Sequence, residues 1–214
     1  MYSANLQRIW LILFWGVIDM AKVILTEAQP DSSCGIAGFV DVETTGFSPV
    51  TDEVVELAIC LFEFKRATGQ ITQIIENYVG LREPKKSIPP AATRVHGLKA
   101  ADVKGKKLDH GIIESMIHKA EFLVAHNAPF DYGFVSRLFK ICQEKPWLCS
   151  MRGIGWYQKG YPSMGLQNLL KCHGIKPEKA HRAEHDVEAA IKLLSLSPNG
   201  KTYFLELLHK LPRR

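Results

Sequence analysis

No two cysteines in this 214-residue chain form a C-x-x-C pair: Cys34, Cys60, Cys142, Cys149 and Cys172 are scattered singly, and their number is odd. That excludes a disulfide framework and makes a reducing cytoplasm the simplest location. The chain also lacks low-complexity stretches and fixed-period repeats, which leaves an ordinary globular protein. Nor does it offer a membrane span. Residues 9–18 (IWLILFWGVI) are an unbroken apolar run, but a helix needs about 20 residues to cross a bilayer. Three readings of that run stand. It is the apolar region of a signal peptide, against which only Arg8 precedes it and no A-x-A site follows; or it lies upstream of a natural start at Met20; or it is a helix docking on the domain or a partner.

Charge of one sign is in modest excess. A net charge of +5 and a pI near 8.9 suit a polyanionic partner but fall short of a dedicated nucleic-acid-binding module. The basic clusters are Lys85-Lys86, Lys104 with Lys106-Lys107, Lys176 with Lys179 and Arg182, and Arg213-Arg214. Each reads equally as a solvated face, although Lys179 and Arg182 flank His181. The length suits one domain with small appendages: an N-terminal segment 1–34, a domain 35–196, and a C-terminal helix with a basic tail at 197–214. The sequence leaves the oligomeric state open.

Within the domain, residues 35–42 (GIAGFVDV) read as a buried strand ending in an acid, and residues 53–64 and 70–79 as a hairpin turning at Ala67-Thr68-Gly69. Prolines 84, 89 and 90 precede a short helix over 91–95, stopped at His96-Gly97. Leu108, Ile112, Ile113, Met116, Ile117 and Ala120 keep a helical period. Residues 122–125 and 147–149 read as strands, and a helix follows from Asp131. Ser163 can cap another helix that Gly174 ends. Further helices follow His181 and span 202–211. A tight hairpin makes antiparallel neighbours and helical crossovers make parallel ones, so the expected fold is α/β: a mixed sheet with a three-stranded antiparallel start and then parallel strands, flanked by helices.

Asp41 and Glu43 lie two apart at a strand end, so both carboxylates leave the same face. Two such charges repel unless a cation separates them; alone, a D-x-E is more often a solvated edge. Thr44, Thr45 and Gly46 follow, with hydroxyls, amides and a flexible backbone able to grip a chain end. Asp131 ends VAHNAPFD at a helix start, where capping is the bland explanation. His181 sits in a loop five residues before Asp186, which reads as the start of a helix. Acids from three segments with one histidine form a set more specific than any part. Oxygen ligands select Mg²⁺ or Mn²⁺ over zinc. Two such ions about 3.5–4 Å apart would clamp an in-line displacement at phosphorus. An imidazole, titrating near pH ~6.5 when unperturbed, can take the proton of an attacking water.

The stretches FVDVETTG (39–46), RVHG (94–97), AHNAPFD (125–131) and AHRAEHD (180–186) resemble the DEDDh (DnaQ-like) 3′–5′ exonuclease family, with the H-x4-D spacing of its histidine branch. The resemblance runs from about residue 35 to 194. It implies a ribonuclease-H-like fold and hydrolytic release of nucleoside 5′-monophosphates from a 3′ end, single-stranded or frayed, of DNA. By similarity Asp41 bridges two divalent cations, Glu43 and Asp186 complete the first site, Asp131 holds the second, and His181 is the general base. Thr44, Thr45, Gly46, His96, Asn127 and Phe130 become contacts to the terminal nucleotide, Phe130 by stacking or wedging.

Rival readings use the same residues. RNA is the alternative substrate, since nothing in the acid set depends on a 2′-hydroxyl. The chain carries no evident long polymerase-binding tail, so the expectation is a free-standing enzyme or one weakly recruited to a polymerase. Cys172, His173, His181 and His185 are zinc-ligand types in one stretch, though without finger spacing. An inactive module that binds nucleic-acid ends or a protein would have no need to crowd such groups together.

Overall fold

The computed structural model describes residues 32–212. The apolar run 9–18, the alternative start at Met20 and the pair Arg213-Arg214 lie outside the described residues. Among the described residues no helix is long and apolar enough to cross a membrane.

Three β-rich segments pair in chain order as an antiparallel meander: β1 (Cys34–Thr44), β2 (Val54–Lys65) and β3 (Ile71–Leu81). The β2–β3 turn passes through Gly69 at φ 64°, where a Cβ would lie 2.5 Å from the Leu205 backbone nitrogen, so both conformation and space demand glycine. After α1 (Pro90–His96) and α2 (Ala100–Val103), the crossover helix α3 (His110–Lys119) leads to β4 (Phe122–Ala125), parallel to β1. Next, α4 (Ala128–Leu138) leads to β5 (Trp147–Cys149), parallel to β4. The sheet order is β3-β2-β1-β4-β5, the mixed antiparallel-then-parallel sheet expected. The chain then runs through α5 (Ser150–Gly153), α6 (Leu166–Cys172), α7 (Ala183–Ser195) and α8 (Tyr203–Leu208).

The two faces of the sheet separate the cores by strand parity. Ala37 and Phe39 of β1, with Ala58, Cys60, Phe62 and Phe64 of β2, pack against Val187, Ala190, Ile191 and Leu194 of α7. Phe204 of α8 meets Phe62, Phe64 and Phe122, with ring centroids 5.2–6.3 Å apart. The C-terminal helix therefore completes the same core; each such side chain contributes about 1.5–3 kcal/mol. Val40 and Val42, with Leu57, Ile59 and Leu61, face the opposite way onto Ile113, Met116 and Ile117 of α3 and Phe134 and Val135 of α4. Continuing the parity of Phe39 puts Asp41 and Glu43 on the α7 face. Glu56, in phase with Ala58, joins them there.

Three local expectations shift. Ser163 does not cap α6. Gly165 is the N-cap, and the Ser163 hydroxyl instead accepts from the Gly165 N–H (3.1 Å) and Asn168 Nδ2 (3.2 Å). Neither Asp131 nor Asp186 opens its helix: each is the fourth residue, behind Ala128 and Ala183. The terminal helix is shorter than 202–211, because Thr202 caps it by accepting from the Leu205 N–H at 3.0 Å and it ends at Leu208.

Candidate active site

The end of β1, the first turns of α4 and α7, and the start of α6 enclose a cleft of about 390 Å³. Asp41, Glu43, Asp131, His181 and Asp186 all line it, as do Asn127 and Phe130. Each is delivered by a different local cause. Asp41 and Glu43 come from strand parity. Asp131 lies one turn inside α4, whose second residue is Pro129, suited to a first turn that has no N–H partner to lose. Asp186 lies one turn inside α7, in the positive field of that helix's N-terminus.

Glu43, His181 and Asp186 place ligand atoms within 4.8 Å of one another and could hold a metal ion. Among the described residues this is the grouping of three or more metal-ligand types that converges; the Cys172, His173, His181 and His185 set does not. His173 is occupied elsewhere, with Nδ1 at 2.7 Å from Leu169 O and Nε2 at 2.7 Å from the Tyr161 hydroxyl.

His181 is exposed at the cleft mouth and, among the described residues, is the non-glycine residue with positive φ, at 57°. Such a backbone costs of order 1–3 kcal/mol and persists only where surroundings enforce it. Here the His181 N–H donates to Asp186 Oδ2 at 3.2 Å, while Gln167 Nε2 donates to Oδ1 of the same carboxylate at 2.7 Å.

Thr44, Thr45, Gly46 and His96 do not line the cleft. The Thr44 hydroxyl donates to Gly46 O (2.6 Å), and Thr45 Oγ1 accepts from the Glu53 N–H (3.0 Å). A Cβ on Gly46 would lie 2.5 Å from the Asp52 carboxylate, so packing accounts for this glycine. His96 is buried; its Nδ1 accepts from the Leu98 N–H at 3.0 Å and its Nε2 has no hydrogen-bond partner.

Burial and mutual repulsion dominate the electrostatics. Burial first, then the charges of Asp131, Glu43, Asp186 and Glu56, hold Asp41 well above the carboxylate range. Glu43 is pushed up to about 8, by burial and then by Asp186, Glu56 and Asp131, with Arg182 opposing. Burial likewise lifts Asp131 to about 8, against hydrogen bonds from its own backbone and from Val42. Asp186 is raised by burial, with Gln167 and His181 pulling it back. So many carboxylates in one cleft are anionic together only if positive charge is supplied.

Three further residues act on the site that the sequence reading did not single out. Glu56 is wholly buried and binds Arg182, next to His181. Gln167 orients Asp186, although its stretch read only as part of a helix. His126 bridges β4 to the following loop, with Nδ1 at 3.0 Å from Ser150 Oγ and Nε2 at 2.7 Å from Met164 O; because a carbonyl can only accept, Nε2 carries the proton. The sequence signal for His126 was its place in AHNAPFD. Glu56 and Gln167 had none.

An exonuclease family model, RNase_T, matches residues 39–194. The DNA polymerase III subunit epsilon of Treponema pallidum is 29% identical over 165 residues, covering 72% of this chain and 73% of that protein. The PolC-type DNA polymerase III of Thermotoga maritima is 26% identical over 207 residues, 89% of this chain but 14% of the relative. The 3′–5′ exonuclease DinG of Staphylococcus aureus is 27% identical over 165 residues, 74% of this chain and 18% of its own. The chain thus spans under a fifth of the length of the latter two. Among solved structures, Escherichia coli exonuclease I in complex with a dT13 oligonucleotide shares the fold, with a TM-score of 0.57 at 20% identity over 75% of this chain and 40% of that one.

Proposed function

Because this chain belongs to the RNase_T exonuclease family, we propose that it is a 3′–5′ exonuclease that hydrolyses the terminal phosphodiester of DNA with two divalent cations and His181 as general base. The observation that carries this reading is the convergence of Asp41, Glu43, Asp131 and Asp186 with His181 on one cleft. Relatives named as a polymerase III subunit and as a 3′–5′ exonuclease support the polymer and the direction.

The residues fit the cations that the family implies. Burial raises all four carboxylates, with repulsion from the neighbouring acids adding at Asp41 and Glu43, and Arg182, the nearby cation, is committed to Glu56. Asp41 would bridge the two ions, Glu43 and Asp186 would complete one site and Asp131 would hold the other; Mg²⁺ or Mn²⁺ suits oxygen donors. When bound, the ions supply positive charge to the attacking and leaving oxygens of the displacement.

The chain's own groups do the rest. His181, at the exposed mouth, takes one proton from the water whose oxygen bonds to phosphorus, while the bond from phosphorus to the 3′-oxygen of the penultimate nucleotide breaks and that oxygen takes up a proton from solvent to become the new 3′-hydroxyl. The products are a nucleoside 5′-monophosphate and a chain shorter by one. Gln167 and the His181 amide hold Asp186 in one orientation, which fixes the base relative to the acids. Phe130 offers a face for the terminal base and Asn127 a polar contact. Thr44, Thr45, Gly46 and His96 do not line the cleft; the contacts to the terminal nucleotide that the resemblance implies for them would be made at the adjoining end of β1.

The deciding experiment incubates the full-length protein with Mn²⁺ and 5′-labelled single-stranded DNA, 3′-mismatched primers and RNA of the same sequence. A ladder shortened one nucleotide at a time from the 3′ end, with nucleoside 5′-monophosphates released, is expected on DNA. Shortening of RNA alone would move the substrate to RNA, and no shortening of any substrate would make the chain a binding module.

A further inference from the structure

Two of the basic clusters visible in the sequence, Lys85-Lys86 and Lys104 with Lys106-Lys107, meet in space. The segment after β3 and the loop between α2 and α3 are joined by a hydrogen bond from the Glu83 N–H to Lys106 O (3.0 Å) and one from the Gly105 N–H to the Glu83 carboxylate (2.8 Å). Between them opens a cleft of about 550 Å³ whose charged lining is Arg82, Lys85, Lys106 and Lys107, with Glu83 as its acid. Lys85, Lys106 and Lys107 are exposed and, among the described residues, have no ion-pair partner; Arg82 is paired with Glu53 at 3.0 Å.

This cleft is tied to the end of β1. Thr45 and Glu53 exchange two hydrogen bonds, the Thr45 N–H to Glu53 O (2.9 Å) and the Glu53 N–H to Thr45 Oγ1 (3.0 Å). The Glu53 carboxylate then accepts from the backbone N–H groups of Lys85 (2.8 Å) and Lys86 (3.3 Å). A second cleft of about 330 Å³ lies between, sharing Arg82 and Lys85 and adding Lys86 and Arg137, with Asp52 and Glu53 as its acids. Its wall includes Phe134, whose ring is 5.0 Å from that of Phe130, and Phe130 lines the acid cleft. A line of cations therefore leads away from the site where a chain end would sit.

We propose that this basic track, centred on Lys85, Lys106 and Lys107, binds the phosphodiester backbone of the polynucleotide several nucleotides upstream of the end being cut. The proposal rests on the nucleic-acid substrate argued above. Exposed ammonium groups around an open cleft whose acid is Glu83 suit a polyanion tracked by charge rather than read by sequence.

The test is equilibrium binding by fluorescence anisotropy in EDTA, where no turnover occurs, with 20-nucleotide and 4-nucleotide single-stranded DNA and the full-length protein. The substitutions are Lys85→Gln, Lys106→Gln and Lys107→Gln together, with the matching Lys→Arg triple as a control; all sit on exposed side chains, and unchanged melting temperatures verify folding. The Gln triple is expected to weaken the 20-mer about 10–100-fold at low salt and to flatten log K against log[salt] by about 2, since each phosphate contact on a single strand contributes about 0.7. The Arg triple should keep both, and the 4-mer should change less than about twofold. An unchanged 20-mer affinity and salt slope, or equal losses for both lengths, would overturn the track. Displacement of the 20-mer by polyglutamate as effectively as by unlabelled DNA would reassign the surface to an acidic protein. If the wild-type protein shortens no nucleic acid with Mn²⁺ yet shows the length-dependent loss, the exonuclease mechanism fails and the track stands.

Discussion

Glu56 and Arg182, 126 residues apart in sequence, form an ion pair behind the acid cleft, its carboxylate wholly buried and its guanidinium partly exposed. Arg182 Nε donates to both carboxylate oxygens at 3.1 and 3.0 Å, and Nη2 adds a short contact. The same carboxylate accepts from the Ala183 N–H at 2.9 Å, so a strand residue supplies the cap that α7 lacks locally. Glu56 is also the cross-strand neighbour of Glu43, and like charges directly opposite one another destabilise a sheet. Arg182 offsets that repulsion, and its position next to His181 fixes where the loop ends and the helix begins.

Arg182→Ala should therefore cost more than Glu56→Gln. The first leaves a wholly buried carboxylate without its cation, a loss of about 3–5 kcal/mol; the second keeps a neutral acceptor for the Ala183 N–H and frees a partly exposed guanidinium to reach water. Urea unfolding at neutral pH checks the order. Equal or reversed losses would mean that the pair does not organise this end of α7.

The two-residue spacing of Asp41 and Glu43 on a strand made their shared face legible, and the helical period over 108–120 marked the side of α3 that meets the core, because local periodicity records which side faces inward. The Glu56–Arg182 pair was not legible. A glutamate inside VVELAICLF looks like the polar tooth of a strand, and nothing nearby says that its partner lies beyond β5. Gln167 was hidden for the same reason. Asp131 and Asp186 looked like helix starts because acids favour first turns, yet Pro129 and the Glu56 contact to Ala183 carry each helix start back by three residues. The sheet is thus written in local pattern, while the supports of the site are written in contacts between distant segments.

Asp41→Ala should abolish turnover and divalent-ion binding together if Asp41 has the proposed bridging role. Isothermal titration with Mn²⁺ and the labelled-DNA assay read the two effects. Normal activity in this variant would remove Asp41 from the mechanism.

Stability in EDTA should fall as pH rises. The Glu43 carboxyl moves from an ordinary 4.5 to about 8 in the folded chain and Asp131 from 3.8 to about 8, so the folded state holds protons that the unfolded state has released. Their contribution is therefore fully present below about pH 4 and is lost progressively towards about pH 8. Melting temperatures in EDTA should decline from pH 5 to 8. Mn²⁺ should restore them while releasing protons into weakly buffered solution, because the cations replace those protons. A profile that rises with pH in EDTA would contradict the raised carboxyl groups.

His181 invites a comparison of two substitutions at one position. As the proposed base, its loss to alanine should lower the rate by roughly 10²–10⁴ while the carboxylates still bind Mn²⁺; a wild-type rate across neutral pH would exclude the role. Its backbone at φ 57° is unfavourable to alanine and easy for glycine. His181→Gly should be as inactive as His181→Ala, yet melt about 2–4 °C higher, the shift that about 1 kcal/mol produces in a domain of this size. If the alanine variant melts higher, the loop relaxes out of the left-handed region once the imidazole is gone, and the side chain is what holds the backbone there. If glycine melts higher, as expected, the contacts around Arg182 and Asp186 impose the conformation, and the strain is the cost of aiming the imidazole into the cleft.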